Sequence, residues 1–185
     1  MNTDINIKES AIREKVVFNE SIWEQLSSKI FWAVLLLSFP LFSILILIAD
    51  AQKEGIKGIV DVLLFVVLAN LIPYSIYRRL IKMQKLKKVQ GESLQMNREI
   101  IKAFVKEEEW RTIIDNKTYL LAIPNSSLLT WSRQFLIIYH QNEVLFNCMT
   151  FGLHGLLSPF HFLSDQKEED RFLEAFENKI KKYAT

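Results

Sequence analysis

The stretch IFWAVLLLSFPLFSILILIA, residues 30–49, contains twenty residues without a charged side chain. A helix of that length, at about 1.5 Å per residue, spans roughly 30 Å, the thickness of the hydrocarbon core of a bilayer. A buried helix of a soluble protein usually has a shorter apolar run, of about 10 to 14 residues, and an amphipathic period. The stretch has neither property, so the sequence predicts a membrane span.

A second apolar run, residues 58–77, follows a short polar link and predicts a second span. Asp61 falls in the first turn of this run, where its carboxylate can reach water, and Asn70 falls at mid-depth. We expect the Asn70 amide to make an interhelical polar contact with a hydroxyl of the first span, Ser38 or Ser43. A proton or ion pathway is the alternative, but one asparagine and one interfacial aspartate do not form a relay.

The second run ends in a block of bases with no acidic residue before Glu92. The members of this block are Arg78, Arg79, Lys82, Lys85, Lys87 and Lys88. The positive-inside rule then places both termini in the cytosol, and in a bacterium it places the chain in the plasma (inner) membrane. Bases so close to a span also predict contact with anionic lipid headgroups, worth about 1 kcal/mol each. RNA binding is the alternative, but the formal net charge is only +2, so no nucleic acid partner is expected.

The residues able to carry chemistry do not form a recognisable constellation. The three histidines, His140, His154 and His161, do not combine with the single cysteine, Cys148, in the CxxC or HxxxH spacing of a zinc site. Strand alternation places Cys148 on a core face, where a thiol is usually inert. A glycine loop of the phosphate-binding kind is also absent from the sequence. The sequence therefore predicts no catalytic residue, no cofactor and no metal, in a protein that is not an enzyme.

Residues 93–185 have the pattern of a small α+β domain: a helix, about four antiparallel strands and a C-terminal helix. The first helix is amphipathic and is predicted to end near Glu107. The last helix is predicted to begin at Asp165, with Glu168 three residues later completing a capping box. Roughly ninety residues suffice for one small core.

The most regular predicted hairpin pairs residues 134–140 with residues 143–151, and His140 then lies opposite Glu143. One face of this hairpin is a core face made of Phe135, Ile137, Tyr139, Val144, Phe146 and Cys148. The other face is also apolar, and its large side chains are Leu136, Ile138, Leu145 and Met149. A helix or loop of the same chain is expected to cover this second face. If none does, it is the candidate partner face or it contacts the bilayer.

Three segments of the chain together resemble a known group of proteins. They are NREIIKAFVKEEEW at 97–110, LLTWSRQFLIIYHQNEVLFNCM at 128–149 and RFLEAF at 171–176. The pattern resembles an uncharacterised group of small bacterial two-transmembrane-helix proteins with a cytosolic α/β domain, and Trp110, Thr130 and Trp131 carry the match. Ser132 and Arg133 stand where that group usually has a glycine. The arrangement is more loosely similar to YcxB-like proteins and to two-span, β-rich effectors of bacterial antiphage signalling. The resemblance implies an architecture and no activity.

The patterns divide the chain into four parts: a cytosolic N-terminal segment at 1–28, a two-helix transmembrane hairpin at 29–79, a basic juxtamembrane linker at 80–92 and the α+β domain at 93–185. Folding signals without chemistry favour a non-enzymatic, membrane-anchored protein-interaction or scaffold module, whose partner is an unknown protein or a second copy of the chain. The alternative is a ligand-sensing membrane effector whose cytosolic domain binds a small molecule such as a nucleotide.

Overall fold

The computed structural model describes residues 5–19, 22–54, 56–124, 133–152 and 157–183. The helices are α1 (Ile7–Arg13), α2 (Ile22–Glu54), α3 (Ile56–Met83), α4 (Leu94–Glu107) and α5 (Phe162–Tyr183). The strands are β1 (Lys87–Gln90), β2 (Arg111–Asp115), β3 (Tyr119–Ile123), β4 (Arg133–His140) and β5 (Glu143–Thr150). A short 3-10 turn at Pro159–His161 precedes α5.

The chain forms two compact units. The helical unit is Glu20–Ile81, and the α+β unit combines Met1–Asn19 with Lys82–Thr185. The N-terminal segment, which the sequence pattern set apart, therefore folds with the C-terminal part of the chain.

One helical stretch of the helical unit, Lys29–Ala49 in α2, is long and apolar enough to cross a membrane, considering the described residues. It coincides with the first predicted span. The second predicted span lies in α3, partly on residues whose side chains fall outside the described part of the chain, Asp61 among them. The second span therefore stays a prediction.

Two polar side chains of the helical unit hydrogen-bond within their own helices. The Asn70 amide donates to the Val66 carbonyl oxygen at 2.7 Å, and the Ser43 hydroxyl donates to the Phe39 carbonyl oxygen at 2.8 Å. Both bonds reach back one helical turn, as short polar side chains in helices often do. The interhelical contact predicted between Asn70 and a hydroxyl of the first span stays a prediction.

The α+β unit contains a five-stranded antiparallel sheet in the order β1-β5-β4-β3-β2. The predicted hairpin is confirmed as β4 and β5, with His140 opposite Glu143. Its two-residue turn places Gln141 at a φ of 52°. The fifth strand, β1, comes from the segment predicted to be a linker, so residues 87–90 are part of the sheet.

The inner face of the sheet packs against α4 and α5. All six side chains of the predicted core face lie in this core, with Ile100 and Phe104 from α4 and Phe172 from α5. The Phe172 ring lies 5.0 Å from the Phe135 ring and 4.9 Å from the Phe146 ring, measured between centroids. Helix α4 ends at Glu107 as predicted, and the Ser93 hydroxyl accepts the Met96 N–H at its start.

The outer face of the sheet is covered by the chain itself. Its four large side chains, Leu136, Ile138, Leu145 and Met149, are only 0–3% exposed. Ile5, Val16 and the partly buried Phe18 of the N-terminal segment pack in the same cluster. The structure corrects the candidate partner face accordingly, because the segment before α2 occupies it.

Candidate functional site

Strand β1 covers only part of its neighbour β5. The two strands pair from Lys87 opposite Phe146 to Gln90 opposite Glu143. Beyond Phe146, no strand among the described residues lies on that side of β5. We call residues 147–150 the open edge of β5. Unpaired backbone amides on such an edge must find other partners, because a buried amide without one is costly.

Two carboxylates of α5 bind these amides. Glu169 Oε1 accepts the Cys148 N–H at 2.9 Å, and Asp165 Oδ2 accepts the Thr150 N–H at 3.1 Å. Four residues along a helix advance about 6.0 Å and two residues along a strand advance about 6.7 Å. A helix that lies along the strand can therefore match carboxylates at i and i+4 to alternate amides of the strand.

Basic side chains neutralise both carboxylates. Asp165 Oδ1 accepts Arg133 Nε at 3.1 Å and the Thr150 hydroxyl at 2.7 Å. Glu169 Oε2 lies 3.1 Å from Lys87 Nζ, which also donates to Asp170 Oδ1 at 2.7 Å. The amides, two bases and two buried acids thus form one network, called here the α5 carboxylate network.

Burial shifts the ionisation of this network. Removal from water raises the pKa of Asp165, although Thr150 and Arg133 oppose the shift. It also raises the pKa of Glu169 against the opposing Cys148 N–H and Lys87. For Lys87, burial acts to lower the pKa, but the hydrogen bond to Asp170 and the charge of Glu169 together raise it. Burial also raises the pKa of the Cys148 thiol well above its ordinary value, so Cys148 is not an activated nucleophile.

A cavity of about 550 Å³ lies at the open edge of β5. Its lining residues are Glu14, Lys82, Met83, Lys85, Leu86, Lys87, Lys88, Cys148, Phe162, Asp165, Gln166 and Glu169. The volume falls in the range of small-molecule sites, about 300 to 1,000 Å³. The lining is mainly charged, and Met83, Leu86, Cys148 and Phe162 are its apolar members, so it suits a charged ligand better than an apolar one.

Two backbone hydrogen bonds hold one wall of the cavity. The Val16 N–H donates to the Gln84 carbonyl oxygen at 2.8 Å, and the Leu86 N–H donates to the Glu14 carbonyl oxygen at 3.0 Å. We call this pair of bonds the 15/85 bridge, because Lys15 and Lys85 lie opposite each other within it. Asn147, at the open edge, also donates through its side-chain Nδ2 to the carbonyl oxygens of Met83 and Lys85, both at 2.9 Å.

The six bases predicted to contact lipid fall into two groups: two lie in the helical unit and four line the cavity. Arg78 and Arg79 belong to the helical unit, where the Arg78 guanidinium lies 5.9 Å from the centre of the Tyr74 ring. Lys82 and Lys85 line the cavity, and so do Lys87 and Lys88. Lys87 pairs with the α5 acids, and Lys88 Nζ lies 2.9 Å from Glu143 Oε1.

Some of the other residues named in the sequence analysis lie in the described part of the chain. His140 is exposed at the end of β4, and His161 lies in the 3-10 turn. His154, Thr130 and Trp131 lie outside the described residues. Among the residues that the structure describes, no group of three or more His, Cys, Asp or Glu side chains is placed to hold a metal ion.

Sequence reasoning missed the α5 carboxylate network because Asp165 has the pattern of a helix cap. Helix α5 instead begins at Phe162, and Asp165 lies inside it. A signal was present, since Asp165, Glu169, Phe172 and Phe176 follow one another at intervals of four, three and four residues. Acids that continue an apolar helical stripe face the core, where they must be paired.

Comparison with protein-family models, curated proteins and solved structures gives no match to this chain. The cavity and its network are therefore the basis for a functional proposal.

Proposed function

We propose that the chain is an integral membrane protein that senses a small ligand in the cavity of its α+β unit. The two long helices form a two-span hairpin in a bacterial inner membrane, with both termini in the cytosol. The apolar helix Lys29–Ala49 supports the first span, and the bases that follow residue 77 support this orientation. Reporter fusions after residues 19, 55 and 185 test the topology, and a periplasmic signal at 55 alone is expected.

A single observation carries the sensing proposal: the cavity is lined by the chain segments that lead into α2 and out of α3. Glu14 lies shortly before α2 begins at Ile22, and Lys82 and Met83 are the last residues of α3. A ligand in the cavity therefore contacts segments covalently joined to both long helices. This continuity provides a route from ligand occupancy to the helices.

The 15/85 bridge is the part of the structure whose open and closed forms a ligand would shift. Its two hydrogen bonds join the segment before α2 to the segment after α3, next to the cavity. An occupant that binds better when the bridge is closed stabilises the closed form by its differential affinity. We propose that ligand binding closes the bridge and thereby constrains the ends of the two helices.

The protein-interaction module predicted from the sequence loses the face on which it rested, because Leu136 and its neighbours are buried under the N-terminal segment. The cavity favours ligand sensing instead. An enzyme is disfavoured on chemical grounds, since the acids at the cavity already bind amides and bases and the Cys148 thiol is held protonated.

The test uses the full chain in nanodiscs, screened by thermal unfolding against nucleotides, phosphorylated metabolites and neutral metabolites. A ligand at about a hundred times its Kd contributes about 2.7 kcal/mol, which raises Tm by several degrees for a chain of this size. The shift is expected to vanish in Gln166→Trp, which fills the cavity, and to persist in Gln95→Trp, which adds the same ring to an exposed position on α4.

Hydrogen exchange at two amides tests the coupling. The Val16 and Leu86 N–H groups make the 15/85 bridge, so ligand is expected to slow their exchange. A ligand that shifts Tm in wild type and in Gln166→Trp alike binds elsewhere, and that result would refute the cavity as the sensing site.

A further inference from the structure

The lysines that line the cavity differ in whether the described residues give them an ion-pair partner. Lys87 pairs with Glu169 and Asp170, and Lys88 pairs with Glu143. Among the residues that the structure describes, no ion pair involves Lys82 or Lys85, although both residues line the cavity. These two lysines are therefore the cations that remain for a ligand.

The acids of the lining do not compete for these lysines. The carboxylate oxygens of Asp165 and Glu169 bind the β5 amides, Arg133 and Lys87. Glu14 is the remaining acid, and its charge acts on Lys88, whose pKa is raised mainly by its hydrogen bond to Glu143 and more weakly by Glu14. The unmatched charge at this end of the cavity is positive, which favours an anionic group.

The cavity also has apolar lining residues, and exposed apolar side chains lie next to one of them in the sequence. Met83, Leu86 and Phe162 contribute to its lining. Phe160, two residues before Phe162, and Leu163, directly after it, are 79% and 61% exposed. Large apolar side chains so exposed beside a site with free lysines suit a ligand that carries an apolar part outside the cavity.

The position of the two lysines in the chain restricts the source of such a ligand. Lys82 lies in α3, five residues and a rise of about 7.5 Å beyond Tyr77, where the proposed second span ends. Bases immediately cytosolic to a span lie at the level of the lipid headgroups. An anionic, partly apolar molecule available at that level is a phospholipid.

We propose that the cavity binds the headgroup of an anionic phospholipid, with Lys82 and Lys85 contacting the phosphate and Phe160 and Leu163 contacting the acyl chains. The inference rests on the proposed sensing function and names its ligand class. The protein then reports the anionic lipid content of its own membrane, and no soluble metabolite is required.

The test measures lipid binding to the full chain in detergent by native mass spectrometry, with dihexanoyl phosphatidylglycerol, dihexanoyl phosphatidylcholine and glycerol 3-phosphate as probes. Phosphatidylglycerol is expected to bind roughly tenfold more tightly than phosphatidylcholine. The double variant Lys82→Gln, Lys85→Gln is expected to lose roughly that tenfold preference. The matched control is Lys106→Gln, Lys117→Gln, which removes the same charge from exposed positions outside the cavity and should bind like wild type.

A second pair of substitutions identifies the source of the phosphate. Phe160→Ser, Leu163→Ser is expected to weaken phosphatidylglycerol binding several-fold and to leave any weak binding of glycerol 3-phosphate unchanged. If glycerol 3-phosphate binds as tightly as the lipid and this variant has no effect, the ligand is a soluble phosphate and the lipid inference is wrong.

The same samples separate this inference from the sensing proposal. If phosphatidylglycerol shows no preference, but another molecule raises Tm and slows Leu86 exchange in a way that Gln166→Trp abolishes, the lipid inference falls and sensing stands. If neither these probes nor any member of the nucleotide and metabolite screen shifts Tm or slows exchange in the wild type, both proposals fall. Each variant is compared with wild type by its unliganded Tm, so that a folding defect is not counted as lost binding.

Discussion

The backbone N–H groups in the two halves of strand β5 have different kinds of hydrogen-bond partner. Residues 143–146 pair with β1 through backbone hydrogen bonds, whereas the amides of Cys148 and Thr150 bind carboxylates of α5. A neighbouring strand fills the space beside the half it covers. Side chains that reach across from a helix leave room between them, and the cavity lies on this half.

The difference shows how a small sheet can acquire a site at its edge. Backbone pairing does not depend on ionisation, but carboxylate pairing requires bases, burial and a helix in the right place. The first half of β5 is therefore expected to respond mainly to lost packing. The second half is expected to respond to lost charge.

The largest effect is expected from Asp165→Ala, which removes the nearest carboxylate from a buried arginine. Arg133 and the Thr150 N–H and hydroxyl would lose an acceptor inside the protein, and breaking a buried ion pair costs about 4 kcal/mol. Unfolding of the full chain in detergent measures the loss. The control is Asp170→Ala, in an exposed pair, which should cost less than about 1 kcal/mol. Equal losses for the two variants would contradict the buried network.

The next largest loss of stability is expected from Leu145→Ala, which tests the packing of the first half of β5. Leu145 is 3% exposed and packs under the N-terminal segment, so Leu145→Ala is expected to cost about 3 kcal/mol in unfolding free energy. Leu94→Ala, at an exposed position on α4, is the control and should change little. A near-neutral Leu145→Ala would mean that the N-terminal segment does not cover this face.

A smaller effect is expected from Glu169→Gln, because the amide oxygen still accepts the Cys148 N–H while Lys87 keeps Asp170. The loss at neutral pH is expected to be about 1 kcal/mol.

The pH dependence of this variant gives the sharper test. Since the pKa of Glu169 is raised in the folded state, that state binds the proton more tightly than the unfolded chain does. The contribution of Glu169 to stability is therefore fully present below its ordinary pKa of 4.5 and is lost as the pH rises through the folded value. Glu169→Gln removes this titration, so the Tm advantage of wild type over the variant should be larger at pH 5 than at pH 8. An advantage that grows with pH would show that the folded pKa is lowered instead.

The smallest effect is expected from Lys88→Gln on β1, the strand that covers the first half of β5. Lys88→Gln breaks the pair with Glu143, but Lys88 is exposed and the backbone pairing of β1 with β5 remains. Exposed ion pairs contribute little, so no measurable change in Tm is expected. A clear loss would indicate that β1 depends on this charge for its place in the sheet.

Sequence reasoning was most successful where the contacts are local. The hairpin of β4 and β5 was predicted in register because strict alternation and a two-residue turn leave one pairing that buries Phe135, Ile137 and Phe146 together. The end of α4 at Glu107 followed from an amphipathic period that the next acids interrupt.

Sequence reasoning failed where a short segment joins a distant one. Residues 87–90 have a basic, unpatterned sequence, and only the free edge of β5 makes them a strand. The N-terminal segment has a weak helical pattern, and only the uncovered apolar face of β4 and β5 gives residues 5–18 a place to pack.

The sequence by itself determined the long apolar helix, the β4–β5 hairpin with its two apolar faces and the amphipathic helix α4, because periodicity and turn residues act over a few neighbours. Only the tertiary structure decided what covers the outer face, that Asp165 and Glu169 bind the open edge of β5, and that Lys82 and Lys85 line a cavity. These outcomes depend on which buried groups remain unsatisfied once the sheet has formed, and segments far apart in the chain supply their partners.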